Sequence, residues 1–244
     1  MASEYALETR NVSKRFGGVV AANNIDLKIE PGELRCIIGP NGAGKSTLFS
    51  LLCGIQRADS GEIYISGHDV TRMQPFKRVR HGIGLTFQTN RAYQELSVKH
   101  NLMVPNPSLA VSKQAHQQGH ERLMLALEEF ELDLNDDTLA SEIPHHTLQW
   151  LEISMVLAGF PDLVLIDEPT AGMSRDETDR TAMVLKKLNE SGLTIIVVEH
   201  DMHFVKSIAK KVTVLHQGRI FTEGNLDEVV ANEEVKKIYL GHAH

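Results

Sequence analysis

Short runs of aliphatic residues, bounded by glycine, proline or aspartate, recur in two separate parts of the chain. These parts are residues 5–88 and 160–224. Continuous β-branched runs are typical of strands buried on both faces, as in a parallel sheet covered by helices. The clearest runs are residues 163–166, 194–198 and 212–215. The pattern predicts an α/β core assembled from both parts of the chain.

Helical patterns alternate with these predicted strands, as a layered α/β arrangement requires. We predict helices over residues 46–53, 175–190 and 201–209. Residues 61–67 are predicted to form one further strand between two turns, because a glycine stands at each end of an alternating pattern.

The stretch between the two parts of the core has a different pattern. Residues 89–158 are polar and lack aliphatic runs. Within them Leu123, Leu127 and Phe130 fall at helical spacing and form one apolar stripe. The pattern predicts a helical subdomain inserted into the α/β core.

Length and composition limit the alternatives. The 244 residues suit one large domain, and the 42% hydrophobic content suffices for a sizeable core. We predict a single domain over 1–244 that ends in a helical tail over 225–244. The net charge of −7 argues against general nucleic-acid binding, which usually requires a basic face.

The sequence also predicts the compartment. No run approaches the roughly 18 apolar residues of a membrane span, and no charged-then-apolar signal peptide leads the chain. Cys36 and Cys53 are the two cysteines, and each is expected to be a small buried hydrophobe in a reducing environment. A cytoplasmic location is therefore expected.

A glycine-rich loop carries the clearest chemical signal. It consists of Gly39, Pro40, Asn41, Gly42, Ala43, Gly44, Lys45 and Ser46, and Thr47 follows it. This stretch fits G-x-x-x-x-G-K-[ST] between a β-rich run and an apolar helical run, which is the context that the motif needs. Such a loop aims backbone N–H groups at phosphates, with help from the helix N-terminus. We predict a nucleoside triphosphate site, in which Lys45 reaches the β- and γ-phosphates and the Ser46 hydroxyl holds Mg²⁺.

Three further residues stand at the ends of predicted strands. Asp167 and Glu168 directly follow the aliphatic run 163–166, and His200 follows the run 194–198. Ligands bind at the carboxyl ends of strands in open α/β sheets. Asp167 is predicted to hold Mg²⁺, Glu168 to polarise a water, and His200 to contact the γ-phosphate and that water.

Gln88 and Phe16 are the remaining candidates. Gln88 closes residues 84–88, between the core and the helical stretch, and is a candidate for sensing Mg²⁺ or the γ-phosphate. Phe16 precedes Gly17 and Gly18 and is a candidate for stacking on the base, with packing in a hydrophobic cluster as the alternative.

In order and spacing these motifs resemble the nucleotide-binding subunit of an ATP-binding-cassette (ABC) transporter, over essentially the whole chain. The resemblance implies ATP and Mg²⁺ as ligands and a P-loop core with an antiparallel β subdomain and a helical insert. The resemblance assigns these roles: Phe16 is the base-stacking aromatic, residues 39–46 are Walker A, Gln88 is the Q-loop, Asp167 and Glu168 are Walker B, and His200 is the switch histidine. It also implies that Ser46, Gln88 and Asp167 are the Mg²⁺ ligands.

Several segments resemble the importers of branched-chain amino acids and urea within that family. They are residues 32–38, 149–153, 168–173, 199–205 and 238–241. The resemblance implies a subunit on the cytoplasmic face of the inner membrane. It would pair with a second cassette subunit and drive separate permeases, and Arg91 and Tyr93 are candidates for contact with them.

One motif departs from the family pattern. Residues 143–147, Ile-Pro-His-His-Thr, stand where the family carries Leu-Ser-Gly-Gly-Gln. Pro144 lacks a hydroxyl and a backbone donor, and His146 adds bulk where glycine allows close approach. Ser174 stands where the family usually has aspartate. A metal site at the histidine pair is the alternative, although no third ligand stands at ligand spacing.

This departure predicts an asymmetric pair. Each ATP in the family's dimer lies between one subunit's phosphate loop and the other's signature. We therefore expect a heterodimer with a subunit whose signature is intact, although a homodimer stays open. A regulatory subunit with weak hydrolysis and a non-transport cassette ATPase are the alternative functions.

Overall fold

A computed structural model describes residues 4–86, 91–105 and 113–240. Gln88 lies outside the described residues. The described chain forms two sheets, one of six strands and one of four, with helices packed around them. The predicted α/β class is confirmed.

The six-stranded sheet forms the centre of the molecule. Its strands are β3 (Leu34–Ile38), β6 (Ile83–Leu85), β7 (Leu163–Asp167), β8 (Thr194–Val198), β9 (Lys211–His216) and β10 (Arg219–Asn225). Their order is β10-β9-β3-β8-β7-β6, with β10 antiparallel to β9 and the other neighbours parallel. Every residue of β3, β7 and β8 is buried, which explains their continuous apolar runs.

Alternate residues of the central strands enter two separate apolar clusters. In β7, Leu163 and Leu165 belong to one cluster, whereas Val164 and Ile166 belong to the other. Because successive side chains of a strand point to opposite faces, both faces of the sheet are covered.

The second sheet is antiparallel. It consists of β1 (Leu7–Phe16), β2 (Val19–Ile29), β4 (Ser60–Ile65) and β5 (His68–Asp69), in the order β2-β1-β4-β5. The predicted strand over 61–67 ends at Ile65, because Ser66 and Gly67 turn with φ of 48° and 78°.

The helices predicted over 46–53, 175–190 and 201–209 are present, and the described residues form further helices that were not predicted individually. The helices are α1 (Lys45–Cys53), α2 (Pro75–Val79), α3 (Val98–Met103), α4 (Lys113–Phe130), α5 (His145–Ala158), α6 (Arg175–Glu190), α7 (Met202–Ile208), α8 (Leu226–Ala231) and α9 (Glu233–Leu240). The stripe of Leu123, Leu127 and Phe130 is buried in α4, and Phe130 stacks on Trp150 of α5. Among the described residues no helix combines the length and hydrophobicity that a bilayer span requires.

The helix predicted over 175–190 has those bounds in α6, whereas α1 and α7 differ from their predictions by one residue at one or both ends. The predicted helix over 201–209 begins at Met202, because the Asp201 side chain accepts from the backbone N–H groups of His203 and Phe204 and caps the helix. The helix α1 begins one residue earlier than predicted, at Lys45. It ends at Cys53 as predicted, before Gly54, which adopts a left-handed backbone with φ of 81°.

Candidate functional site

The glycine loop lies between β3 and α1, at the carboxyl end of the central sheet. A Cβ at Gly39 would overlap the main-chain oxygen of Leu215, and one at Gly44 would overlap that of Ala21. Gly44 also has a left-handed φ of 103°. Neither position therefore accommodates a side chain, which explains why the loop needs glycine at both ends.

The amino end of α1 carries donors that the chain does not cap. Its N-cap is Gly44, which offers no side-chain hydrogen bond, and its first turn contains no acidic residue. By contrast, α6 begins with a capping box of Ser174 and Glu177. Because the first N–H groups of a helix have no intrahelical acceptors, those of α1 face the loop with a partial positive charge. This donor set fits the oxygens of a phosphate chain.

Lys45 lies across the loop at the start of α1. Its Nζ donates to the carbonyl oxygens of Gly39 at 2.7 Å and Pro40 at 3.1 Å, and the residue is buried. Burial lowers the pKa of Lys45, whereas the charges of Glu168, Asp167 and Glu199 act in the opposite direction. The ammonium thus supplies a cation in a partly dry site that contains three carboxylates.

Asp167 is the last residue of β7 and is largely buried. Burial raises its pKa to about 6, with further contributions from the charges of Glu168 and Glu199, and Lys45 opposes the rise. Its backbone N–H donates to Oγ1 of Thr86 at 3.3 Å. The buried carboxylate at the end of β7 and the hydroxyl of Ser46 at the start of α1 are oxygen donors of the kind that Mg²⁺ prefers.

Glu168 follows β7 in an unusual backbone conformation. Its φ is 47°, in the left-handed region that costs an ordinary side chain roughly 1–3 kcal/mol. Its backbone N–H donates to the carbonyl of Val198 at 2.9 Å, which fixes the turn against β8. Oε1 of Glu168 lies 3.2 Å from Nδ1 of His200. The strained turn therefore brings the side chains predicted from two different strands together.

A buried pair behind these residues was missing from the sequence prediction. Oγ1 of Thr170 donates to Oε1 of Glu199 at 2.5 Å, and Oε2 of Glu199 accepts from the backbone N–H of His200 at 2.7 Å. Glu199 is only 1% exposed, so its charge contributes to the field at Asp167. The one signal in the sequence was an acid that ends an otherwise apolar strand.

Phe16 lies at the end of β1, in the antiparallel sheet. The residue is 46% exposed and lies outside both apolar clusters of the described residues. Nζ of Lys14 lies 5.5 Å from the ring centroid, and Lys14 also pairs with Asp59 at 2.8 Å. One aromatic face is thus on the surface, held near a cation.

An apolar groove lies between α2, β6 and the helices after residue 91. Its volume is about 390 Å³, and Arg91 and Tyr93, the two predicted contact residues, line it. Phe76 and Val79 of α2 also line it, and each exposes about half of its side-chain surface.

The residues in the place of the signature motif are tied to α6. Pro144 is the N-cap of α5 and makes no side-chain cap hydrogen bond. Nδ1 of His146 lies 2.7 Å from Oε1 of Glu177, and the His146 ring packs edge-on against Trp150. Among the residues that the structure describes, no group of three metal-ligand side chains occurs, so the metal alternative at the histidine pair has no geometric support.

The two cysteines are buried, as predicted. Burial raises the pKa of both thiols, which keeps them protonated and unreactive at neutral pH.

Comparisons with known proteins agree with this geometry. A family model described as "ABC transporter" matches residues 22–171. BraF of Pseudomonas aeruginosa, a high-affinity branched-chain amino acid transport ATP-binding protein, is 31% identical over 97% of this chain and 98% of its own length. LivG of Escherichia coli K12, named for the same transport, is 30% identical over 99% of this chain and 100% of its own length. LptB of Escherichia coli K12, an ATP-binding protein of a lipopolysaccharide export system, is 29% identical over 96% of this chain and 97% of its own length.

Solved structures give the same result. The crystal structure of a nucleotide-free ATP-binding cassette from an ABC transporter matches with a TM-score of 0.83 and 27% identity, over 96% of this chain and 98% of the other. The crystal structure of the ADP conformation of an ATP-binding cassette matches with a TM-score of 0.83 and 28% identity, over 98% of this chain and 100% of the other. The predicted nucleotide-binding fold and the predicted resemblance are both confirmed. The chain belongs to the ABC transporter family and is an ATPase of its ATP-binding-cassette type.

Proposed function

We propose that this chain powers an importer for a small solute of the branched-chain amino acid or urea type, by binding and hydrolysing ATP. The observation that carries ATP hydrolysis is the Glu168–His200 pair, 3.2 Å apart, at the sheet edge from which the glycine loop emerges. Glu168 occupies a left-handed backbone to reach that position. Such strain is typical of residues whose placement serves chemistry. Import of such a solute is supported by the similarity to BraF and LivG.

ATP binding rests on the loop and its helix. The uncapped N–H groups at the start of α1 hold the phosphate chain, and residues 39–47 wrap around it. Lys45 exchanges its present acceptors, the carbonyls of Gly39 and Pro40, for β- and γ-phosphate oxygens. The exposed ring of Phe16 stacks on the base.

Mg²⁺ binding rests on oxygen donors. Ser46 and Asp167 would hold the ion, and the sequence adds Gln88, which lies outside the described residues. When bound, the ion neutralises charge on the β- and γ-phosphates. A neighbouring cation would also lower the pKa of Asp167 from its raised value of about 6, so metal and carboxylate stabilise each other.

Hydrolysis rests on Glu168 and His200. The Glu168 carboxylate orients and deprotonates the attacking water, because it is the acid at the end of β7 that does not hold the metal. His200, with its side chain 58% exposed, contacts the γ-phosphate and the same water. Glu199 and Thr170 position the backbone beneath His200.

The partner subunit follows from the amino end of α5. Pro144 and the His146–Glu177 pair occupy the place where a partner's γ-phosphate would meet serine and glycine. We infer a heterodimer, in which a different cassette subunit donates an intact signature to this chain's ATP. The isolated chain then hydrolyses ATP weakly.

The groove lined by Phe76, Val79, Arg91 and Tyr93 is the proposed docking site for the permeases. Its apolar floor suits a short amphipathic helix of a membrane subunit. Glu152, Met155 and Val156 of α5 line one side of it. Together with α3 and α4, α5 belongs to the insert that we place at residues 89–158. The chain is then peripheral, on the cytoplasmic face of the inner membrane.

Reconstitution with candidate permeases and a second cassette subunit, sought among the neighbouring reading frames, tests the proposal. Proteoliposomes that also contain the matching binding protein should take up labelled leucine or urea only when ATP is enclosed. Glu168→Gln should abolish that uptake without preventing assembly. ATP-dependent efflux would contradict import, and an assembled complex without turnover would favour the regulatory alternative, which the altered signature supports.

A further inference from the structure

Arg78 is the most completely buried arginine in the described part of the protein. It belongs to α2 and is 1% exposed. Burial lowers its pKa to about 10, so the guanidinium stays charged at neutral pH. Taking such a charge out of water is costly, and the protein compensates for it with backbone carbonyls.

The guanidinium joins two segments that are remote in sequence. Its Nη1 donates to the carbonyls of Leu51 and Leu52, both at 2.7 Å. On the other side its Nε donates to Met73 O at 3.2 Å and its Nη2 to Thr71 O at 3.3 Å. The planar fork therefore holds the last turn of α1 against the segment that leads into α2.

The last turn of α1 is adapted to receive this side chain. That turn contains no basic residue of its own, so Arg78 supplies the cation that the negative end of the helix favours. Gly54 follows at once, and a Cβ there would lie 2.6 Å from Nε of Arg78. The contact between Arg78 and the end of α1 therefore depends on the arginine and also on the glycine at position 54.

The two ends of the link lie at different sites. The amino end of α1 begins at the phosphate loop, roughly 13 Å from its carboxyl end for a helix of 9 residues. Phe76 and Val79, on either side of Arg78 in α2, line the apolar groove. A short rigid helix and one buried side chain thus connect the loop with the groove.

We propose that Arg78 is a positioning residue that transmits nucleotide occupancy from the phosphate loop, through α1, to α2 and the docking groove. The inference rests on the proposed function, since it requires ATP at the loop. Nucleotide fixes the amino end of α1, and Arg78 passes that restraint on to α2. Phe76 and Val79 then present a more ordered surface to a membrane subunit.

Hydrogen exchange followed by mass spectrometry tests this on the full chain. Glu168→Gln serves as the parent, at MgATP concentrations that saturate each variant, with bound nucleotide measured on the same samples. In the parent, ATP should slow exchange in peptides covering residues 74–82 by about fivefold. In Arg78→Met the ratio of the exchange rate without ATP to the rate with ATP should fall to about one. In Arg78→Lys this ratio should be intermediate, because a single ammonium replaces the planar guanidinium. Arg80→Met, which changes an exposed neighbour, should match the parent.

A merely structural role gives a different result. It would raise exchange in Arg78→Met equally with and without ATP, so the ATP-dependent ratio would be preserved, and that outcome would overturn the proposal. The proposal would also be overturned if ATP did not slow exchange of residues 74–82 in the parent. If Arg78→Met does not fold, Arg78→Lys is used instead: a smaller ATP effect than in the parent supports the proposal, and an equal ATP effect contradicts it. Failure of the parent to bind ATP would instead refute the proposed function itself.

Discussion

Nδ1 of His146 lies 2.7 Å from Oε1 of Glu177, which joins the amino ends of α5 and α6. The other oxygen of Glu177 accepts from the backbone N–H of Ser174 at 2.7 Å. These contacts lower the pKa of Glu177, and the hydrogen bonds with Ser174 contribute more than the charge of His146. The carboxylate is therefore ionised at neutral pH. A fixed negative charge therefore lies at the helix end where the family pattern presents donors to a partner's γ-phosphate.

Restoring that helix end should raise the activity of the isolated chain. Pro144→Ser combined with His146→Gly returns a hydroxyl and a close backbone approach, and removes the partner of Glu177. We expect phosphate release by the isolated chain to rise at least about tenfold, since one lost transition-state donor commonly costs more than that. The same pair of changes in Glu168→Gln should stay inactive. An unchanged rate would show that the altered signature does not limit turnover.

Glu168→Gln should separate binding from hydrolysis. The amide keeps the size of the side chain but cannot accept a proton, so turnover should fall by about 10²–10⁴ while ATP stays bound. Single-turnover assays with labelled ATP would measure both quantities. Glu190→Gln, at an exposed position of α6, is the matched control. Normal hydrolysis in Glu168→Gln would mean that another group activates the water.

Lys45→Ala should weaken ATP binding itself. The ammonium is the cation that the loop places beside three carboxylates, and a charge-assisted contact contributes about 1.5–3 kcal/mol, or roughly a 10- to 100-fold change in affinity. Equilibrium binding of a fluorescent ATP analogue would measure it. Lys186→Ala removes a charge from an exposed part of α6 and should leave affinity unchanged. Equal affinities for the two variants would contradict the proposed role of Lys45.

Asp167 should make stability depend on pH in an identifiable direction. Its pKa is raised from 3.8 to about 6, mainly by burial, so the folded protein holds this proton more tightly than the unfolded chain does. The Asp167 contribution to stability is therefore lost as the pH rises from 3.8 to about 6.

Asp167→Asn removes that loss. Without Mg²⁺ it should raise the free energy of unfolding by about 1–2 kcal/mol above pH 6, allowing for screening by solvent. Near pH 4 the variant and the native protein should be equally stable, because Asp167 is then largely protonated in the folded state. Urea denaturation across this pH range measures the difference, and a constant difference at every pH would argue against the titration of Asp167. The same variant should lose Mg²⁺-dependent hydrolysis.

The features that the sequence predicted best are those formed by neighbouring residues. The glycine loop needs only its own eight positions and the strand and helix on either side, so the pattern identified it directly. Continuous apolar runs predicted β7 and β8 because strands covered on both faces have no polar side. The start of α7 is one residue later than predicted, because Asp201 caps the helix.

The sequence by itself determined the fold class, the phosphate loop and the polar residues that follow the central strands, because these depend on local order and on the period of apolar positions. Tertiary structure alone decided which distant groups meet. Thr170 and Glu199 are separated by 29 residues, and Arg78 and Leu51 by 27, so no periodicity links them. His146 met Glu177 because two helices begin side by side, and only the packing of the whole chain fixes that position.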